Sequence, residues 1–227
     1  MKGSDVVSRL RVILNDADEV GWTTAELILW INDGCRFIAL LRPDSAVVNA
    51  SMTLVAGSKQ SIGALTPPGL RLLDVVRAVA TGRAVRLVDR EKLDTVLPGW
   101  HGATQGVPTN YTFDNRDPKT FYVYPPATAG TQVEVIYSRV PVEVTTGNLA
   151  SQDLSIDDVF MDPLLNYVLH RAYCKDADHA KNAALAAGYR QLAELLLAGK
   201  SKSDAVYSPD FNTPHAAITA GATAGGV

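Results

Sequence analysis

Cysteine is almost absent: Cys35 and Cys174 are the only two in 227 residues. That excludes a disulfide-stapled scaffold, and because each sits inside an apolar helical pattern, both read as small hydrophobes packed in a core. No apolar run approaches the length that would cross a bilayer. Met1-Lys2-Gly3-Ser4-Asp5 leads straight into an amphipathic pattern, so no secretory leader is expected, and the chain reads as soluble and intracellular. An excess of positive charge is missing as well. The formal net charge is −3, whereas a domain built to grip nucleic acid is more often basic.

Signals of catalysis are equally sparse. The four histidines, His101, His170, His179 and His215, show no i, i+4 pairing that would set two metal ligands on one helical face. There is no glycine loop to cradle phosphate and no Gly-x-Ser-x-Gly elbow. Asp157 with Asp158, and Asp89 with Glu91, read as charges at helix N-termini, where the dipole favours them. The residues therefore predict no enzyme, no metal and no cofactor; a site assembled from distant positions is the alternative of another class.

What the sequence does hold is helical periodicity at both ends. Around residues 153–200, Leu164, Leu165, Val168, Leu169 and Ala172 form one stripe, and Leu185, Tyr189, Leu192 and Leu196 form a second. Ala180, Ala184 and Ala187 flank the second stripe, allowing close approach of two helix axes, and Gly199 is the expected stop. Such a hairpin buries too little surface to stand alone. Its expected partner is N-terminal: Val6, Val7, Leu10, Ile13 and Leu14 in one helix, then Leu27, Trp30, Ile31, Gly34 and Ile38 in another. The second of these opens on a capping box, Thr23-Thr24-Ala25-Glu26, and ends at Arg42-Pro43.

Between them the period changes from helical to alternating. Residues 46–55, 70–79, 84–88, 111–114, 120–124 and 132–138 read as about six short strands. Ala56-Gly57-Ser58 reads as a turn, Thr81-Gly82 as the bend of a hairpin, and Pro125-Pro126 as punctuation. Asp89 caps a short helix that Pro98-Gly99 stops. The tyrosines Tyr122, Tyr124 and Tyr137 read as sheet packing rather than a base-stacking platform. The fold expected is α+β: a helical bundle of residues 1–43 and 152–200, closed by the two helix pairs, with a mostly antiparallel β domain inserted at 44–151. Residues 201–227 read as an extended C-terminal tail, apolar at Val206, Tyr207 and Phe211 and free of Asp, Glu, Lys and Arg from Thr213 onward. One charge cluster stands out. Arg71, Arg77, Arg83, Arg86, Arg90 and Lys92 interleave with Asp74, Asp89, Glu91 and Asp94. That mixture reads either as a solvated face or as an interface for a partner's carboxylates; the acids argue against a phosphate track.

Several runs resemble head-to-tail adaptor (connector) proteins of tailed bacteriophages. They are Ile13-Leu14-Asn15-Asp16, Trp30-Ile31-Asn32-Asp33-Gly34, Leu87-Val88-Asp89-Arg90-Glu91 and Arg116-Asp117-Pro118-Lys119-Thr120-Phe121-Tyr122-Val123-Tyr124-Pro125-Pro126, with the helix at 167–176. The likeness covers residues 4–197. It implies a virion protein without enzymatic activity, a ring of twelve copies between the portal and the tail or nozzle protein, assembled in the host cytoplasm. Genomic DNA would pass through its lumen without specific binding, and no membrane is involved. A tail-completion or nozzle component is the alternative from the same structural world. The candidate interface residues are Arg77, Arg83, Arg86, Arg90, Val206, Tyr207 and Phe211.

Overall fold

The computed structural model describes residues 1–175 and 180–207. Its elements confirm the α+β class and come in the order helices, strands, helices. Helix α1 (Gly3–Leu14) and α2 (Thr24–Leu41) precede seven strands, and α4 (Met161–Lys175) and α5 (Ala180–Tyr207) follow them. Between the strands lies the short helix α3 (Arg90–Val96).

One apolar cluster joins the two chain ends. Leu10 of α1, Ile31 and Ile38 of α2, and Leu164 and Val168 of α4 are all completely buried in it, and Trp30 packs against it. Gly34 sets how closely α2 approaches α4: a Cβ there would lie 2.5 Å from Leu164 Cδ1 and 3.1 Å from Tyr167 Cδ1. Local chemistry fixes the ends of α2. Thr23 N–H donates to Glu26 at 3.0 Å while Glu26 N–H donates to Thr23 Oγ1 at 3.3 Å, which closes the capping box. The loop before it folds around a single carboxylate. Asp16 accepts the N–H groups of Val20, Gly21 and Trp22 at 2.8, 3.2 and 2.9 Å and pairs with Arg11 at 3.1 Å. A buried amide clasps the returning chain, since Asn32 Nδ2 donates to Val144 O and Val144 N–H donates to Asn32 Oδ1, each at 2.9 Å.

The strands make two sheets. The first has the order β1–β7–β3, from β1 (Val47–Thr53), β7 (Gln132–Arg139) and β3 (Gly69–Ala78). The second has the order β2–β6–β5–β4, from β2 (Gly57–Ser61), β6 (Thr120–Ala127), β5 (Asn110–Phe113) and β4 (Arg86–Leu87). All pairings are antiparallel except β4 on β5. Both sheets contribute to a second apolar cluster, including Val75, Phe121, Val123, Val135 and Tyr137.

Five expectations need correction. Residues 57–61 form a strand, not only a turn, because buried Gln60 ties the bend: its amide donates to Val55 O and Gly57 O at 2.8 and 3.0 Å and accepts from Val55 N–H at 2.9 Å. Pro125-Pro126 lie inside β6; β5 pairing stops at Tyr124 and β2 pairing resumes at Ala127, so neither proline is asked for a ladder hydrogen bond. Gly199 does not end α5, which runs to Tyr207 and so takes residues 201–207 out of the extended tail. Lys200 helps hold that turn, its ammonium 5.4 Å from the centre of the Phe160 ring. Cys174 is exposed, unlike buried Cys35. Finally, α5 buries Ala186, Ala193 and Leu197 against α4, while Leu185 and Leu192 stay 37% and 41% exposed. Of the stripe read from the sequence, Tyr189 packs against the core and Leu196 is partly buried, so only Leu185 and Leu192 turn to solvent.

Candidate interaction surfaces

The arginine cluster divides once its hydrogen bonds are traced. Arg71 donates to Asn115 Oδ1 at 3.0 Å, Arg77 pairs with Glu134 at 2.6 Å, and Arg90 meets Asp94 at 3.4 Å while lying 5.6 Å from the centre of the Tyr122 ring. The hydrogen bond from Arg77, joined by one from Asn49, holds the Glu134 carboxyl below its ordinary range. Nearby, Arg116 holds Asp114 down to about 2. Each of these four arginines thus finds a partner within the chain. Arg83 and Arg86 do not: both are exposed, and neither guanidinium has an ion-pair or hydrogen-bond partner among the described residues.

Topology explains why those two share a place. The chain leaves β3 through a tight bend at Gly82, whose φ of +67° suits glycine. Val85 N–H donates to Val76 O at 3.1 Å, still belonging to the first sheet; Arg86 N–H donates to Thr109 O at 3.0 Å, already joining the second. A recess of about 420 Å³ opens at this crossover, lined by Arg83, Ala84, Arg86, Thr109 and Asn110. Thr109 Oγ1 lies 2.9 Å from the Asn110 amide and 3.4 Å from Tyr124 O, tying the floor of the recess to β6. Beside the recess, Leu87 is 64% exposed. Across the sheets Tyr111 donates to Asp74 at 2.8 Å; burial, then this bond, push the phenol above its ordinary range.

A second surface is the outer side of α5. Leu185, Leu192 and Leu195 fall on its solvent side together with Ala184 and Gly188, and Leu195 is 67% exposed. Sequence periodicity marks Leu185 and Leu192 for the interior together with Tyr189 and Leu196; Tyr189 does pack against the core and Leu196 is partly buried, while Leu195 carries no such mark.

The remaining chemistry-bearing residues are engaged structurally. His101 stacks on Trp100 with ring centres 3.7 Å apart and bonds Ser58 at 2.8 Å. His170 Nδ1–H donates to Ala186 O at 2.9 Å. Burial pushes the Cys35 thiol up to about 12, which makes it a poor nucleophile. Tyr122 and Tyr124 pack edge-on to Trp100. Among the described residues, no group of three or more His, Cys, Asp or Glu side chains is placed to hold a metal ion, and no helix is long and apolar enough to cross a membrane. The structure brings Arg83 and Arg86 together and leaves Arg77 and Arg90 tied elsewhere. The side chains of Val206 and Tyr207, with all of Phe211, His179 and His215, lie outside the described residues.

Compared with known proteins, residues 1–214 match the family described as SU10 adaptor protein. No curated protein matches the chain.

Proposed function

The chain belongs to the SU10 adaptor protein family, a phage head-to-tail adaptor family, and on that premise we propose that it forms a ring joining the portal to the tail. The carrying observation is the extent of the match, which takes in 214 of 227 residues and so both helix pairs and both sheets.

Within this reading the protein is a non-enzymatic part of the virion. A ring subunit must bury two different flanks against copies of itself, through a heterologous contact that closes. The outward leucines of α5 supply one such flank. An isolated monomer has no use for that stripe in water, and covering it favours association. Arg83 and Arg86 form the other chemically free feature, facing the portal, a tail or nozzle protein, or the next copy. Arg77 and Arg90 keep their carboxylate partners and shape the same face. Val206 and Tyr207 at the end of α5, with Phe211 after them, extend the contact. Twelve copies surround a lumen through which DNA passes unbound, the net charge of −3 per subunit working against adhesion.

Imaging of intact particles tests this directly. The expected result is a ring of this chain between portal and tail. A ring-free portal–tail junction, or crosslinks to tail components alone with none to the portal, refutes the proposal.

A further inference from the structure

The geometry points to the Arg83–Arg86 recess as an oxyanion-binding site that receives a carboxylate from an acidic segment of a partner protein, an inference that deepens the adaptor reading and rests on it. Four observations carry it. First, the two guanidiniums are set apart from the other arginines described above by having no partner within the chain. An unpaired, exposed guanidinium is a fixed cation with a planar fork matched to carboxylate geometry. Second, Arg83 and Arg86 are both lining residues of the same recess of about 420 Å³. Third, the recess adds an uncharged polar side chain, the Asn110 amide. No acidic side chain lines it.

The fourth observation selects a protein carboxylate over a nucleic-acid phosphate. A DNA backbone presents a long track of charge, and its affinity grows with the number of phosphates neutralised. Here two arginines stand alone, and the chain beyond them turns at once to Asp89, Glu91 and Asp94. Those acids repel a long phosphate track running on past the recess more than a short acidic peptide that ends within it. The exposed Leu87 beside Arg86 offers the apolar flank that a protein interface uses and a phosphate backbone does not.

The test uses the full chain and a hexaglutamate peptide, with binding read by calorimetry at low salt. The wild type is expected to bind. Arg83→Gln with Arg86→Gln should weaken binding at least tenfold, and Arg83→Lys with Arg86→Lys should weaken it less. Arg171→Gln with Arg190→Gln, an equal change of charge at paired arginines of the helical end, should stay within twofold of wild type. Circular dichroism verifies folding, and the lysine pair supplies the readout if the glutamine pair does not fold. Absence of peptide binding by the wild type, equal binding by the Arg83/Arg86 glutamine variant, or tighter binding of a short DNA duplex through the same two arginines would overturn the inference. None of these results touches the particle-location experiment, so the two readings fail separately.

Discussion

Replacing Leu185, Leu192 and Leu195 together by glutamine should leave the subunit folded and abolish its self-association. Glutamine keeps the length and helix propensity of leucine, so α5 itself should persist. The exposures of 37%, 41% and 67% together amount to about one and a half leucine side chains open to water. Full burial of a leucine is worth about 1.5–3 kcal/mol, so covering the remainder contributes about 2–4 kcal/mol per subunit contact. That corresponds to a loss of about 30- to 1,000-fold in association constant. Sedimentation velocity across a concentration series, alone and with portal protein, measures it. Thermal unfolding of dilute monomer provides the control, and its midpoint should barely move. Two results would refute the reasoning: association unchanged in the triple variant, or a monomer midpoint lowered by many degrees. The latter would mean that the leucines pack within their own subunit.

Two further outcomes follow from the helical end of the molecule. Gly34→Ala places a methyl 2.5 Å from Leu164 Cδ1, and Leu164 is fully buried. The overpacking cost of about 1–3 kcal/mol exceeds the gain of at most about 1 kcal/mol in helix propensity. Gly188→Ala, with no atom within 4 Å of its new Cβ, should instead stabilise the monomer, and calorimetry showing both substitutions stabilising would contradict the close α2–α4 contact. The Asp16 carboxyl is held below its ordinary value of 3.8 by the Trp22 N–H first, then those of Gly21 and Val20 and the charge of Arg11. A depressed folded value means that its stabilisation is complete above the unfolded carboxylate value and disappears as pH falls through the folded one. Asp16→Asn should therefore lower stability at neutral pH and flatten the acid limb of the stability curve; a variant curve parallel to wild type at all pH values would remove Asp16 from that role.

Chemistry confined to a few neighbouring residues was legible. The Thr23–Glu26 box, the halt before Pro43 and the Asp89 cap of α3 each depend on atoms within one turn. The shared core of Trp30 and Val168 was legible too, because an amphipathic stripe has to be covered by another. Pairing over distance was not. Arg77 finds Glu134, 57 residues away in sequence, so counting signs along the chain could not separate cancelled arginines from free ones. No local pattern marks Gln60, yet its buried amide supplies the bonds that turn β1 into β2.

Helix α5 exposes the deeper reason. Its sequence carries two usable faces, one lined by Ala186 and Ala193 and one by leucines, and hydrophobicity alone favours burying the leucines. Close packing divides the residues otherwise: Ala186, Ala193 and Leu197 are buried and Tyr189 packs against the core, while Leu185 and Leu192 are left at the open edge. Periodicity reports that a face wants covering, not which molecule covers it. For a chain in an adaptor family, the part of the sequence reading that fails is informative: Leu185 and Leu192, marked for burial, are left open beside Leu195, which is where a neighbour is needed.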